Sequence, residues 1–156
     1  MGKRYWLVKS EPGVFSVSDL KVSENKTTFW DGVRNYQARN YLRDEMKIGD
    51  EVLFYHSNTV PAAVVGYCKI VKEGYPDHTA FEKESAHYDP KSDPHKPVWF
   101  MIDIKLIKEF KTAVTLEEIK GNPKLQNMKL VQRGNRLSVM PVSKEEFDEI
   151  VGKGTK

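Results

Sequence analysis

The segment Trp30-Asp31-Gly32-Val33-Arg34-Asn35-Tyr36-Gln37-Ala38-Arg39-Asn40 brings an aromatic plate, a glycine, a guanidinium and an amide into one loop that runs into a helix. Such a set can grip a flat, hydrogen-bonding ligand, and Asn35 stands where it can cap the helix. Taken alone, the same residues also describe a surface loop with one buried Trp. Lys9 and Ser10 close an apolar run just where Pro12 and Gly13 force a turn, a usual place for functional side chains. His56 and Ser57 stand at the end of a second apolar run, beside Asn58. A base or similar heterocycle would stack on Trp30 or Trp99, which contributes roughly 1–3 kcal/mol per base. Arg34, Lys9 or Arg136 would meet phosphate, and Ser10, Asn35 or Ser57 would read ring edges.

Several chemistries lack their residues. There is no phosphate loop, dinucleotide fingerprint, zinc pattern or nucleophile elbow. His78, His87 and His95 lie among carboxylates, but their spacings of nine and eight residues match no standard metal motif. Neither a metal nor a cofactor is expected. No nucleophile is paired with a base. A small hydrolase or transferase acting on a nucleotide-like metabolite, with His56 as base and Asp31 beside it, is the alternative to a binding role. A histidine on such a strand is more often a satisfied core residue than a catalyst.

The 156 residues suit one domain with a core of its own, and no apolar run is long enough to cross a bilayer. Met1-Gly2-Lys3-Arg4 is basic without a following apolar region, so the chain is not expected to be secreted. Cys68 is the single cysteine; a reducing compartment is expected, cytoplasmic for a bacterial source and nuclear for a eukaryotic one. A net charge of +3 permits nucleic-acid contact without announcing a broad basic face.

The candidate residues need elements to position them. Tyr5 to Lys9 reads as a strand. Ser16 with Asp19, Thr115 with Glu118 and Ser143 with Glu146 each form a capping-box pattern, predicting three helix starts. Ala38, Tyr41, Leu42 and Met46 predict one helix from Asn35 to about Lys47. Glu51 to Ser57 predicts a strand apolar on both faces, and Pro61 to Val71 another in which Gly66 marks a bulge or close backbone approach. Cys68 on that strand reads as an inert core thiol. Tyr75 to Pro97 is an irregular polar excursion with one short helix near His78 to Glu84. Val98 to Ile107 is the clearest strand, with Trp99 on its mixed face as either a cover for the core's edge or a pocket wall. Arg136 to Val142 predicts the last strand, after a basic patch of Lys124, Lys129, Arg133 and Arg136. Ser143 to about Val151 predicts the last helix, with a frayed tail from Gly152. The order suggests an α+β fold: a curved mixed or antiparallel sheet closing into a small barrel, with short flanking helices.

Three segments, Tyr5-Trp6-Leu7-Val8-Lys9-Ser10-Glu11-Pro12, Trp30 to Asn40 and Phe54-Tyr55-His56-Ser57, resemble in this order the EVE domain family, a relative of the PUA and YTH folds. Gln132-Arg133-Gly134-Asn135-Arg136-Leu137-Ser138-Val139 resembles the family's C-terminal strand region. The resemblance spans Tyr5 to about Val151 and implies a PUA-like β-barrel formed by a single domain. It also implies a pocket for a flipped-out modified base, with modified cytosine in DNA as the expected ligand and methylated base in RNA as the alternative. Carried over residue by residue, that pocket comprises Lys9 and Ser10; Trp30, Gly32, Val33, Arg34, Asn35 and Tyr36; and Tyr55, His56 and Ser57. Trp99 and Arg136 are added from strand position and charge. The implied partner is a nucleic acid, with any effector a separate protein and no membrane involved.

Overall fold

The computed structural model describes residues 2–156. It contains a parallel pair, β1 (Tyr5–Ser10) and β3 (Glu51–His56), in which Ser10 lies level with His56. Around it β2 (Thr27–Phe29), β4 (Ala63–Pro76), β5 (Phe100–Thr115) and β6 (Val139–Val142) complete a six-stranded mixed sheet in the order β2-β5-β4-β3-β1-β6. Every neighbouring pair except β1/β3 is antiparallel.

The alternation of side chains explains how one sheet carries two cores. Trp6, Val8, Val52, Phe54, Cys68, Ile70, Ile102 and Ile104 face one way, packed with Leu20, Leu42 and Met46. Leu7, Leu53, Tyr55, Val64, Phe110 and Met140 face the other, under Ile119, Phe147 and Ile150. The two apolar faces expected of β3 therefore fill two separate cores. Cys68 is fully buried, which pushes its thiol far up and leaves it inert.

All three capping boxes form. They start α1 (Val17–Val22), α3 (Leu116–Lys120) and α4 (Lys144–Gly154), while Asn35 caps α2 (Tyr36–Asn40) by accepting from the Ala38 N–H. The single helix expected from Asn35 to Lys47 is instead α2 followed by a π-helical turn, Tyr41–Glu45. The apolar stripe survives this widening, with Ala38, Leu42 and Met46 buried.

The strands differ from expectation in length. β4 runs on to Pro76 and β5 to Thr115, with irregular register between them that bends the sheet. Gly66 sits where β4 and β5 cross closely: a Cβ there would lie 2.5 Å from the Lys108 carbonyl oxygen. Closure does not follow from this bending. β2 has three residues and β6 four, and among the described residues no pairing joins these two edges, so the sheet is curved and open. The excursion from residue 77 to 99 holds a 3-10 turn, His78–Phe81, in place of the expected helix. Arg136 to Ser138 remain outside β6. The tail expected to fray is helical to Gly154, which packs so closely under the Phe110 ring that a Cβ would collide with it.

Candidate functional site

An open cleft of about 860 Å³ lies where β1 and β3 end and the loop from Trp30 to Asn35 passes over them. Its lining takes Lys9, Ser10, Trp30, Gly32, Val33, Ser57 and Arg136 from the expected set. The parallel register makes this meeting: the Ser57 N–H donates to the Ser10 carbonyl at 2.9 Å, extending the β1/β3 ladder to the cleft floor. The Lys9 N–H donates to the Ser138 carbonyl at 2.9 Å, which brings the segment carrying Arg136 alongside.

Lys9 is half-buried and has no carboxylate within ion-pair distance among the described residues, so desolvation alone lowers its ammonium pKa. Arg136 is exposed and likewise without such a carboxylate among those residues. The Ser10 hydroxyl donates to the Phe15 carbonyl, leaving its oxygen as an acceptor. Trp30 is 9% exposed, and its ring meets Phe54 edge-on at 5.5 Å. It is a core residue with one edge in the cleft, not an open stacking plate.

The other expected residues are placed elsewhere, and each has a structural task. Arg34 turns from the cleft: its Nη1 donates to Asp77 Oδ2 at 3.0 Å and its Nη2 to the His87 carbonyl. Asn35 spends its side-chain oxygen on the α2 cap. Tyr36 packs on Trp99 at 5.0 Å, and Trp99 donates from Nε1 to Asp89 Oδ2 at 2.7 Å, so Trp99 closes the edge of the core rather than walling the cleft. Tyr55 belongs to the second core, on the far face of the sheet. His56 Nε2 accepts from the Val17 N–H at 3.1 Å, and burial lowers the ring's pKa. That nitrogen has no lone pair left for a general base.

Asp77 organises the loop. Its carboxylate is fully buried and receives the Gly32 N–H at 2.9 Å, Arg34, and both the N–H and hydroxyl of Thr79. Desolvation would raise its pKa, but these four donors outweigh it and hold the acid below its usual range. Through Asp77 the excursion after β4 is fastened to the loop before α2.

Sequence reasoning missed Glu11, Phe15, Phe29 and His87 among the cleft-lining residues, and it named Asp31 only beside His56 in the hydrolase alternative and Asn58 only as a neighbour of Ser57. Glu11 Oε1 accepts from Asn58 Nδ2 at 2.6 Å. His87 Nδ1 lies 3.0 Å from Asp31 Oδ2, and its ring covers Gly32, whose φ is +78°. A Cβ on Gly32 would stand 2.6 Å from His87 Nε2, so the glycine makes room for the imidazole. The glycine was a usable signal; nothing local marked His87. Among the described residues, no group of three or more His, Cys, Asp and Glu side chains could hold a metal ion, and no helix is long and apolar enough to cross a membrane.

The EVE domain model matches residues 4–153. Thymocyte nuclear protein 1 from Homo sapiens is 48% identical over 165 aligned positions, covering 94% of this chain and 72% of that protein. The crystal structure of human THYN1 in complex with 5-methylcytosine-containing DNA superposes with a TM-score of 0.90 at 46% identity, covering 99% of each chain. A Pseudomonas syringae protein of known structure gives the same TM-score and identity, covering 96% of this chain and 98% of that one.

Proposed function

The chain belongs to the EVE domain family, and from that premise we propose that it is a non-catalytic nucleic-acid-binding module whose cleft takes a modified base, modified cytosine in DNA first. The observation that carries this reading is the cleft itself. It pairs Lys9 and Arg136, two cations without carboxylate partners among the described residues, with an apolar wall of Trp30 and Val33 and the hydroxyls of Ser10 and Ser57. The likeness to human THYN1 in complex with 5-methylcytosine-containing DNA supports the choice of DNA and of cytosine.

Each residue has a role in this reading. Lys9 and Arg136 meet phosphates, Trp30 and Val33 border the base, and Ser10 and Ser57 face its polar edges. Gly32 admits the loop's close packing. Arg34, Asn35, Tyr36, His56 and Trp99 hold the walls, and Tyr55 supports the floor from the opposite core. The compartment follows the source, nuclear in a eukaryote and cytoplasmic in a bacterium. Against a hydrolase stands His56, whose Nε2 is already committed to the Val17 N–H.

Flipping a base costs a few kcal/mol, and phosphate contacts and burial of the base must offset it. Burial of one methyl group is worth about 0.8 kcal/mol. A preference of about fourfold for 5-methylcytosine over cytosine is therefore expected in otherwise identical duplexes. Titrating both at fixed salt, followed by tryptophan fluorescence, tests this. Equal affinity for both, lost together as salt rises, overturns the modified-base reading. A preference for methylated RNA would keep the reader and replace the ligand.

A further inference from the structure

Two carboxylates line a cleft read as a nucleic-acid site, where either would repel phosphate; Glu11 is exposed and accepts from Asn58, while Asp31 is held inside the loop. Asp31 lines the same cavity as Lys9 and Arg136, between Trp30 and Gly32. Its position is held from three directions. Oδ2 is 3.0 Å from His87 Nδ1, the Arg34 guanidinium fixes the His87 carbonyl, and the next residue's N–H is bound to Asp77. A carboxylate can only accept, so the His87 ring carries its hydrogen on Nδ1. Oδ2 thereby has its partner, whereas Oδ1 has no protein donor within hydrogen-bond distance among the described residues.

Resting on the modified-base reading above, we propose that Asp31 is the specificity-determining residue of the cleft. Its free oxygen accepts a hydrogen bond from the exocyclic amino group of the bound base, and His87 is the positioning residue that holds it. The chemistry selects bases by one edge. Cytosine and adenine present an amino donor there; thymine, uracil and guanine present a carbonyl oxygen, which a carboxylate repels. Phosphates are left to Lys9 and Arg136. The side chain that would weaken backbone binding thus gains its use at the base edge, where a fixed acceptor is needed.

5-Methylcytosine and thymine make the deciding pair, because both carry the C5 methyl group and they differ in the edge that Asp31 would read. Single-stranded oligonucleotides bearing 5-methylcytosine, cytosine or thymine at one position are titrated at fixed salt against wild type and Asp31→Asn. A hydrogen bond to a charged group contributes about 1.5–3 kcal/mol, so wild type should favour 5-methylcytosine over thymine by tenfold or more. Asp31→Asn, whose amide can turn to donate, should bring that ratio close to one while both proteins keep the same melting temperature. His87→Ala, which leaves the carboxylate unheld, should lower the ratio several-fold without altering the preference for the methyl group. An undiminished ratio in both variants overturns the assignment of Asp31, as does an equal loss of affinity for all three oligonucleotides. If wild type does not separate 5-methylcytosine from cytosine but does separate it from thymine, the methyl-reading function fails and Asp31 stands.

Discussion

At His56 burial and hydrogen bonding act on the same ring. The Val17 N–H needs the Nε2 lone pair, and desolvation disfavours the imidazolium, so the folded protein holds this histidine neutral with its pKa below the ordinary value of 6.5. The unfolded chain then binds the extra proton first. Stability is unaffected by this group above about pH 6.5, and is lost as pH falls from there toward the folded pKa. His56→Gln should fold, because its amide oxygen can accept from Val17, and should flatten the fall in melting temperature between pH 7.5 and roughly pH 5. An identical pH profile in the two proteins would mean that this ring does not govern acid sensitivity. The sequence placed His56 correctly at a strand end, but its partner lies 39 positions away, and no local pattern predicts that meeting.

Among the elements, the excursion between β4 and β5 depends on the buried carboxylate of Asp77 and its part-exposed partner Arg34. Removing the buried carboxylate leaves the Thr79 N–H and hydroxyl without their acceptor, at about 1–3 kcal/mol for each group left unsatisfied. Asp77→Ala should lower the denaturant midpoint accordingly and loosen both Gly32 and His87. Amide exchange quickened at Gly32 but unchanged in β1 would locate the damage in the loop; exchange unaffected at Gly32 would show that Asp77 does not hold it. What was legible at this scale was local. Capping boxes at Ser16, Thr115 and Ser143 declare themselves within four residues, and all three form. The Trp30–Asn40 segment declared a loop and a helix start. Its division of labour was hidden, because Arg34 and Asn35 are chemically suited to ligands and structurally spent on Asp77 and the α2 cap. The π turn after α2 was equally hidden, since the apolar spacing of Ala38, Leu42 and Met46 serves either geometry.

For the molecule as a whole, a modest net charge and a cleft whose two cations, Lys9 and Arg136, have no ion-pair partner among the described residues imply binding of limited salt sensitivity. Each phosphate contact contributes about 0.9 to the slope of log affinity against log salt on duplex DNA. Lys9→Ala with Arg136→Ala should reduce that slope by about 2 and weaken modified and plain duplexes alike. A slope unchanged from wild type would place the phosphate contacts elsewhere on the surface. The curvature of the sheet was foreseeable from Gly66 and the short strands, whereas its failure to close depends on how few residues β2 and β6 possess. That openness has a consequence for assembly. An unpaired strand edge ordinarily invites a neighbour's backbone; the β6 edge is four residues long and includes Pro141, which has no N–H to offer, whereas on the other side β2 pairs with only Asp103, Ile104 and Lys105 of β5. The two sides of the sheet therefore differ: β6 offers a partner strand little backbone, while β5 runs ten residues past the last one that β2 pairs, so a partner that lends a strand would meet them unequally.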